Sequence, residues 1–124
     1  MRKKILIVDD SATVRQALSM ALRDTGYEVI EATDGCAALA CLSEEHTQEI
    51  NMLITDLNMP NMDGIDLIRE VRRSSGYRFM PIIMLTTESQ EARKQEGKAV
   101  GASGWIVKPV KPEQLMTVIG MVMP

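Results

Sequence analysis

Four short apolar segments of this chain are each followed by a residue that can handle a phosphoryl group. These residues are Asp9 and Asp10 after KILIV, Asp56 after MLIT, Thr86 after PIIML, and Lys108 after GWIV. A carboxylate can accept a phosphoryl group, and hydroxyl and ammonium groups can bind its oxygens. If the segments are parallel strands of an open α/β sheet, their carboxyl ends open onto one edge. The spacing therefore predicts an aspartyl-phosphate site assembled from distant parts of the chain.

The elements that would carry these residues alternate between short apolar runs and amphipathic stretches. Strands are predicted at residues 4–8, 27–32, 50–55, 81–85 and 105–107. Five helices are predicted. The first follows a cap at Ser11 and has the apolar stripe Val14, Ala17, Leu18, Ala21 and Leu22, and the second runs from residue 35 to about 43. The third is marked by Ile65, Ile68 and Val71, the fourth covers residues 89–100, and the fifth is marked by Leu115, Val118, Ile119 and Val122. The fourth helix has a thin apolar stripe (Ala92, Ala99 and Val100) and an internal Gly97, so we expect it to be the least stable.

Five strands alternating with five helices predict an α/β fold with three layers and right-handed crossovers, which is flavodoxin-like if the strand order is 2-1-3-4-5. With the strand order 2-1-3-4-5, which periodicity alone does not decide, Asp9, Asp10 and Asp56 would lie side by side. Three crowded carboxylates would raise one another's pKa unless a cation lay among them. Oxygen ligands beside a phosphoryl group favour Mg²⁺, so we expect a magnesium site here.

Composition excludes several classes of function. The chain has 124 residues, which predicts one domain, and its net charge of −3 gives no general attraction to nucleic acid. No apolar segment is long enough for membrane insertion, and the apolar run after Met1 is too short for a signal peptide, so a cytoplasmic location is expected. Cys36, Cys41 and His46 fit no redox or zinc spacing, and both cysteines are interpreted as structural.

Each candidate residue also has a purely structural explanation. Paired aspartates before a helix commonly cap it, and Asp56 could be an ordinary turn residue, as could Asn58 and Asp63. Thr86 could cap a strand end, and Lys108 could simply be solvated. Their joint occurrence at the ends of successive strands favours a common site over these separate explanations.

The motifs together resemble those of a bacterial response-regulator receiver domain, closest to the stand-alone chemotaxis regulators of the CheY-like group. The resemblance rests on Asp9-Asp10, Asp56 followed by Leu57-Asn58-Met59-Pro60, Met62-Asp63-Gly64, Thr86-Thr87-Glu88, Gly97 to Ala102, and Trp105 to Pro109. It covers the whole chain and implies a single receiver domain over residues 1–124 with no output domain.

The resemblance implies a role for each site residue. Asp56 would be the nucleophile that takes the phosphoryl group from a phosphohistidine on a partner kinase. Mg²⁺ would be held by Asp10, Asp56 and the main-chain oxygen of Asn58, with Asp9 acting mostly through water. Lys108 would supply further positive charge. It also implies a cis Lys108–Pro109 bond, whereas the sequence itself leaves cis and trans open.

The resemblance further implies a switch. Thr86 would move toward the phosphoryl oxygens, and Trp105, where Tyr or Phe is commoner, would turn into the vacated space. This would alter the face made by helix four, strand five and helix five, where a downstream target protein binds. Val110 departs from the bulky residue, often Phe, of many relatives. Asn58 and Glu88 occupy the positions that tune dephosphorylation, and their polarity predicts fast loss of the phosphoryl group.

Two alternatives to a chemotaxis switch remain open. The chain could be a receiver that passes the phosphoryl group onward in a phosphorelay, or one belonging to a longer regulator. It could also be a Mg²⁺-dependent phosphatase of the haloacid-dehalogenase-like class, although that class carries its nucleophile in a DxD motif on an early strand. Turnover of phosphomonoesters would distinguish the phosphatase, because a switch should show none.

Overall fold

The computed structural model describes residues 2–43, 49–74 and 76–123, with the side chain of Glu88 outside the description. His46 therefore lies outside the described residues. The strands are β1 (Lys4–Val8), β2 (Glu28–Ala32), β3 (Met52–Asp56), β4 (Ile82–Thr86) and β5 (Gly104–Val107). The helices are α1 (Ala12–Asp24), α2 (Gly35–Ser43), α3 (Gly64–Arg73), α4 (Glu91–Ala99) and α5 (Pro112–Val122), with a 3₁₀ turn at Glu88–Gln90 before α4.

The strands form one parallel sheet in the order β2-β1-β3-β4-β5. The predicted three-layer α/β fold and its strand order are thus confirmed, and the predicted element ends are correct to within one or two residues. This order places the topological switch between β1 and β3, where a ligand site is expected in such sheets.

Each face of the sheet is covered by its own apolar layer. The side chains of β1 alternate between the two faces of the sheet. Leu6 and Val8 pack on one face, and Ile5 and Ile7 pack on the other. The first side includes the buried face of α3, and the second includes Leu18 and Leu22 of α1 and the inner face of α5. Every residue of β3 and β4 is buried, as expected for central strands covered on both sides.

The fourth helix packs differently from the prediction. Ala92 and Ala99 are exposed, so the proposed stripe is wrong at both positions, and Ala17 of the α1 stripe is exposed as well. Among the residues of α4, Gly97 alone is buried. A Cβ atom at this position would collide with the Sδ atom of Met84 on β4. The helix approaches the sheet closely because it has no side chain at the point of contact.

Among the described residues, no helix combines the length and the apolar character needed to cross a bilayer.

Candidate active site at the carboxyl edge of the sheet

The sheet register brings the predicted site residues to one edge. Val8 on β1 lies opposite Thr55 on β3, so the residues that follow, Asp9 and Asp56, are neighbours. On the other side of β3, Asp56 lies opposite Leu85, which puts Thr86 one residue beyond it. Thr86 in turn lies opposite Val107, the residue before Lys108.

Asp9 is fully buried and is held through both carboxylate oxygens. The main-chain N–H of Ser11 donates to Oδ1 at 2.9 Å, and the ammonium of Lys108 donates to Oδ2 at 3.0 Å. Ser11 also caps α1, since its hydroxyl oxygen accepts from the N–H of Val14. The start of the helix and the position of the carboxylate are therefore determined by the same short turn.

Asp56 lies at the end of β3 with its side chain about one-tenth exposed. The N–H of Leu57 donates to Oδ1 at 2.8 Å, and Oδ2 lies 3.4 Å from Nζ of Lys108. Burial raises the pKa of the Asp56 carboxyl above its usual value, the ammonium of Lys108 opposes the rise, and the charge of Asp9 adds to it. The carboxylate thus has a side open to an incoming group and an unfavourable charge that a cation would relieve.

Lys108 reaches both carboxylates from β5. Burial by itself lowers the pKa of this ammonium, but the hydrogen bond to Asp9 and the charges of Asp56 and Asp9 outweigh burial, so the net shift is upward. The group therefore carries its positive charge at neutral pH. The N–H of Lys108 donates to the carbonyl oxygen of Thr86 at 2.7 Å, and the Lys108–Pro109 peptide bond is cis.

The acidic cluster suits a divalent cation. Asp9, Asp10 and Asp56 can each offer a carboxylate oxygen such that the three oxygens lie within 4.8 Å of one another. Three carboxylates and the ammonium of Lys108 carry a net formal charge of −2, which a divalent ion would balance. All the offered ligands are oxygens, the type that Mg²⁺ prefers. Asp10 is exposed, so an ion can reach the cluster from solvent.

Arg15 fixes the backbone of this cluster and was not predicted from the sequence. Its Nη1 donates to the carbonyl oxygen of Asp9 at 2.7 Å, and its Nε lies 3.3 Å from Oε1 of Glu31 on β2. In the sequence, Arg15 resembles an ordinary polar residue flanking the apolar stripe of α1. The signal that could have found it is its place in the second turn after two aspartates, which is weak on its own.

The loop between β3 and α3 is held against the site by Gly64 and Asp63. A Cβ atom at Gly64 would collide with the carbonyl oxygen of Asp56, so a larger residue would push the helix away from the strand. Asp63 caps α3 by accepting from the N–H of Asp66, and its second oxygen accepts from Nη2 of Arg93 at 2.9 Å. This contact, also unpredicted, joins the loop to α4.

The remaining predicted residues lie around the same edge. Thr86 is buried, and its hydroxyl has no hydrogen-bond partner within the described part of the chain. Asn58 is exposed on the loop after Asp56. Trp105 lies further back on β5 and is about one-third exposed. Glu88 begins the 3₁₀ turn, but its side chain falls outside the described atoms, so its predicted position near the site stays a prediction.

An apolar groove lies beside this edge and shares Lys108 with it. It has a volume of about 590 Å³ and runs between α1 and the start of α5. Apart from Thr13 and Lys108, its lining residues are apolar. It therefore offers few polar groups to a phosphoryl group, in contrast to the sheet edge that carries Asp9, Asp56 and Lys108. The cysteines lie outside both features, with Cys36 exposed and Cys41 partly buried on α2.

The fold and the site together define an α/β protein with a parallel sheet that carries an acidic cluster and an ammonium group at its switch point. Residues 5–120 match the model of the response regulator receiver domain family. The chain therefore belongs to this family, which confirms the resemblance inferred from its motifs. Receiver domains are signalling switches, and this membership supports phosphorylation-dependent signalling over the phosphatase alternative.

The chain is similar to characterised chemotaxis regulators. It is 41% identical to the chemotaxis protein CheY of Pseudomonas aeruginosa over 113 residues, 90% of this chain and 89% of that protein. The structure of chemotaxis protein CheY4 of Vibrio cholerae superimposes with a TM-score of 0.91 at 47% identity, covering 99% of this chain and 100% of that one.

A more distant structure bears on the acidic cluster. The receiver domain of the sensor histidine kinase PA1611 from Pseudomonas aeruginosa PAO1 has a TM-score of 0.88 at 25% identity, and 98% of each chain is covered. That structure has a magnesium ion coordinated in its active site cleft.

Proposed function

We propose that this chain is a phosphorylation-dependent switch that accepts a phosphoryl group from a kinase phosphohistidine onto Asp56. The observation that carries the proposal is the contact of one ammonium, Lys108, with two carboxylates at the switch point of the sheet. A partly buried cation placed there is suited to phosphoryl oxygens. In transfer, the phosphorus–nitrogen bond of the donor breaks, its electron pair stays on the imidazole, and a carboxylate oxygen of Asp56 bonds to phosphorus.

We propose Mg²⁺ as the ion of this site, held by Asp10, Asp56 and the main-chain oxygen of Asn58, with Asp9 acting mostly through water. Magnesium in the PA1611 receiver domain supports this choice. When bound, the ion would neutralise charge on the phosphoryl oxygens. Both oxygens of Asp9 already accept hydrogen bonds, which favours its indirect role.

After transfer, the chain's own residues respond to the new charge. The ammonium of Lys108 binds phosphoryl oxygens in place of one of its carboxylate contacts. The unpartnered hydroxyl of Thr86 gains an acceptor by moving toward them. Trp105 then turns into the space that Thr86 leaves, which changes the face formed by α4, β5 and α5. The phosphoryl group favours this form because it makes those contacts only there.

The partners follow from this cycle. A histidine kinase of the chemotaxis type would be the donor, and a downstream target protein would bind the face formed by α4, β5 and α5. Similarity to two chemotaxis proteins supports a chemotaxis output over a phosphorelay. We place the protein in the cytoplasm, with neither nucleic acid nor membrane as a partner.

The central test is modification of Asp56. The protein is incubated with Mg²⁺ and acetyl phosphate, and the modified residue is mapped by mass spectrometry, with hydroxylamine used to show an acyl phosphate. Modification should require Asp56 and disappear in Asp56→Asn, whereas the exposed Asp24→Asn should behave as wild type. Equal modification of Asp56→Asn would refute the assignment. Asp10→Asn should separately weaken magnesium binding.

We also propose that Asn58 and Glu88 shorten the life of the phosphoryl group by orienting water. Asn58 is exposed near Asp56, where it can contact solvent. Replacing both residues with Leu should slow the loss of the phosphoryl group after the phosphodonor is removed. An unchanged rate of loss would show that other residues set the lifetime.

A further inference from the structure

Two cations lie over the partly exposed ring of Trp105. The Nζ atoms of Lys94 and Lys98 lie over its ring, 4.6 Å and 4.7 Å from the centroid. Both distances are within the range in which an ammonium is attracted to the face of an indole. The ring is 36% exposed, so its outward position is not explained by burial in the core.

The two lysines are arranged to act together. They are four residues apart on α4, so they project from the same side of the helix. Lys94 is also steadied by Glu91, because its Nζ lies 3.1 Å from Oε2 of that residue, and the other oxygen of Glu91 accepts from Gln95. Within the described residues, Lys98 forms no ion pair within 4 Å, although its charge acts on the carboxyl of Glu91 at longer range. The indole is therefore the close contact that the structure shows for its ammonium.

The Trp105 ring would have different neighbours if it turned inward toward the site. Trp105 is opposite Met84 on β4, and the space beside Thr86 lies toward the site, two residues further along the strands. That side is lined by buried groups, including the unpartnered hydroxyl of Thr86. A ring that turned inward would move away from both ammonium groups, since Lys94 and Lys98 lie over it in its outward position.

We propose that Lys94 and Lys98 are positioning residues for Trp105, which hold the ring outward and set how readily it turns inward. The effect on the switch rests on the proposed function, whereas the outward hold itself does not. A cation at an exposed site favours the adjacent position of the ring by about 2- to 5-fold. Removing both charges should therefore raise the inward population by roughly 4- to 25-fold.

The experiment uses the fact that Trp105 is the sole tryptophan in the sequence. Acrylamide quenching of its fluorescence is measured on unphosphorylated, metal-free protein. A double variant, Lys94→Met with Lys98→Met, keeps the apolar stems and removes the charges, and a second pair, Lys94→Arg with Lys98→Arg, keeps the cations. Lys111→Met, at an exposed position before α5, is the control for loss of a positive charge. Circular dichroism verifies that each variant is folded.

The proposal predicts less quenching in the Met pair, wild-type quenching in the Arg pair, and no effect in the control. Unchanged quenching in the Met pair would overturn it, and equal changes in the Met and Arg pairs would also overturn it, because side-chain shape and not charge would then be responsible. With acetyl phosphate and Mg²⁺, the inward change of fluorescence should be reached at a lower phosphorylated fraction in the Met pair. The same dependence in wild type and the Met pair would refute the effect on switching. If no protein is phosphorylated at Asp56, the proposed function fails while the quenching result still stands.

Discussion

Gly97→Ala should destabilise this protein, although the same change in an exposed helix would stabilise it. Alanine gains about 1 kcal/mol over glycine inside a helix. Against this, a Cβ atom at position 97 would meet the sulfur of Met84, a side chain that is fully buried in the core. Overpacking of a core typically costs about 1–3 kcal/mol, so we expect a net loss of roughly 1 kcal/mol in the free energy of unfolding.

Gly120 on α5 is the matched control, because nothing lies within 4 Å of a Cβ atom built there. Gly120→Ala should raise the free energy of unfolding by up to about 1 kcal/mol. Urea denaturation followed by far-UV circular dichroism measures both variants without relying on Trp105. In a Met84→Ala background the collision is relieved, so Gly97→Ala should no longer destabilise. If Gly97→Ala and Gly120→Ala stabilise equally, the close packing of α4 on the sheet is wrong.

Three further predictions concern charged groups. Arg72 donates hydrogen bonds to four main-chain carbonyl groups in the loops before β4 and β5. Arg72→Met should therefore lower the free energy of unfolding, measured by urea titration, by about 2–3 kcal/mol. The control Arg73→Met, at an exposed position, should change it by no more than about 0.5 kcal/mol. Arg15→Met should weaken Mg²⁺ binding about tenfold in calorimetric titrations, because the Asp9 carbonyl loses its anchor; an unchanged affinity would argue against that role. Asp56→Asn should raise the free energy of unfolding in metal-free buffer at neutral pH, because burial raises the pKa of this carboxyl and its ionised form opposes folding. That gain should vanish as the pH falls below the usual range of an aspartate, since both folded and unfolded wild type are then protonated; a gain that persisted in acid would have another cause.

The elements of the fold and the chemical types present at the strand ends could be predicted from the sequence. Apolar periodicity depends on neighbouring residues, so β1, β3 and β4 and the helices between them could be located with errors of one or two residues. The carboxylates, hydroxyl and ammonium follow these strands directly, which made an aspartyl-phosphate site a reasonable expectation before any geometry was known. The burial of α4 was less predictable, because a close approach at Gly97 leaves no apolar stripe in the sequence.

Which of these groups are in contact depends on how the strands and helices pack together. The strand order puts β3 next to β1, and the register of that pair then places Asp9 beside Asp56. Lys108 and Asp9 meet across 99 positions of the chain. The lysine pair over Trp105 likewise depends on how α4 lies against β5. Local sequence patterns report the conformation of a segment, whereas these contacts arise from the packing of segments that are far apart in the chain, and only the assembled sheet and helices bring them together.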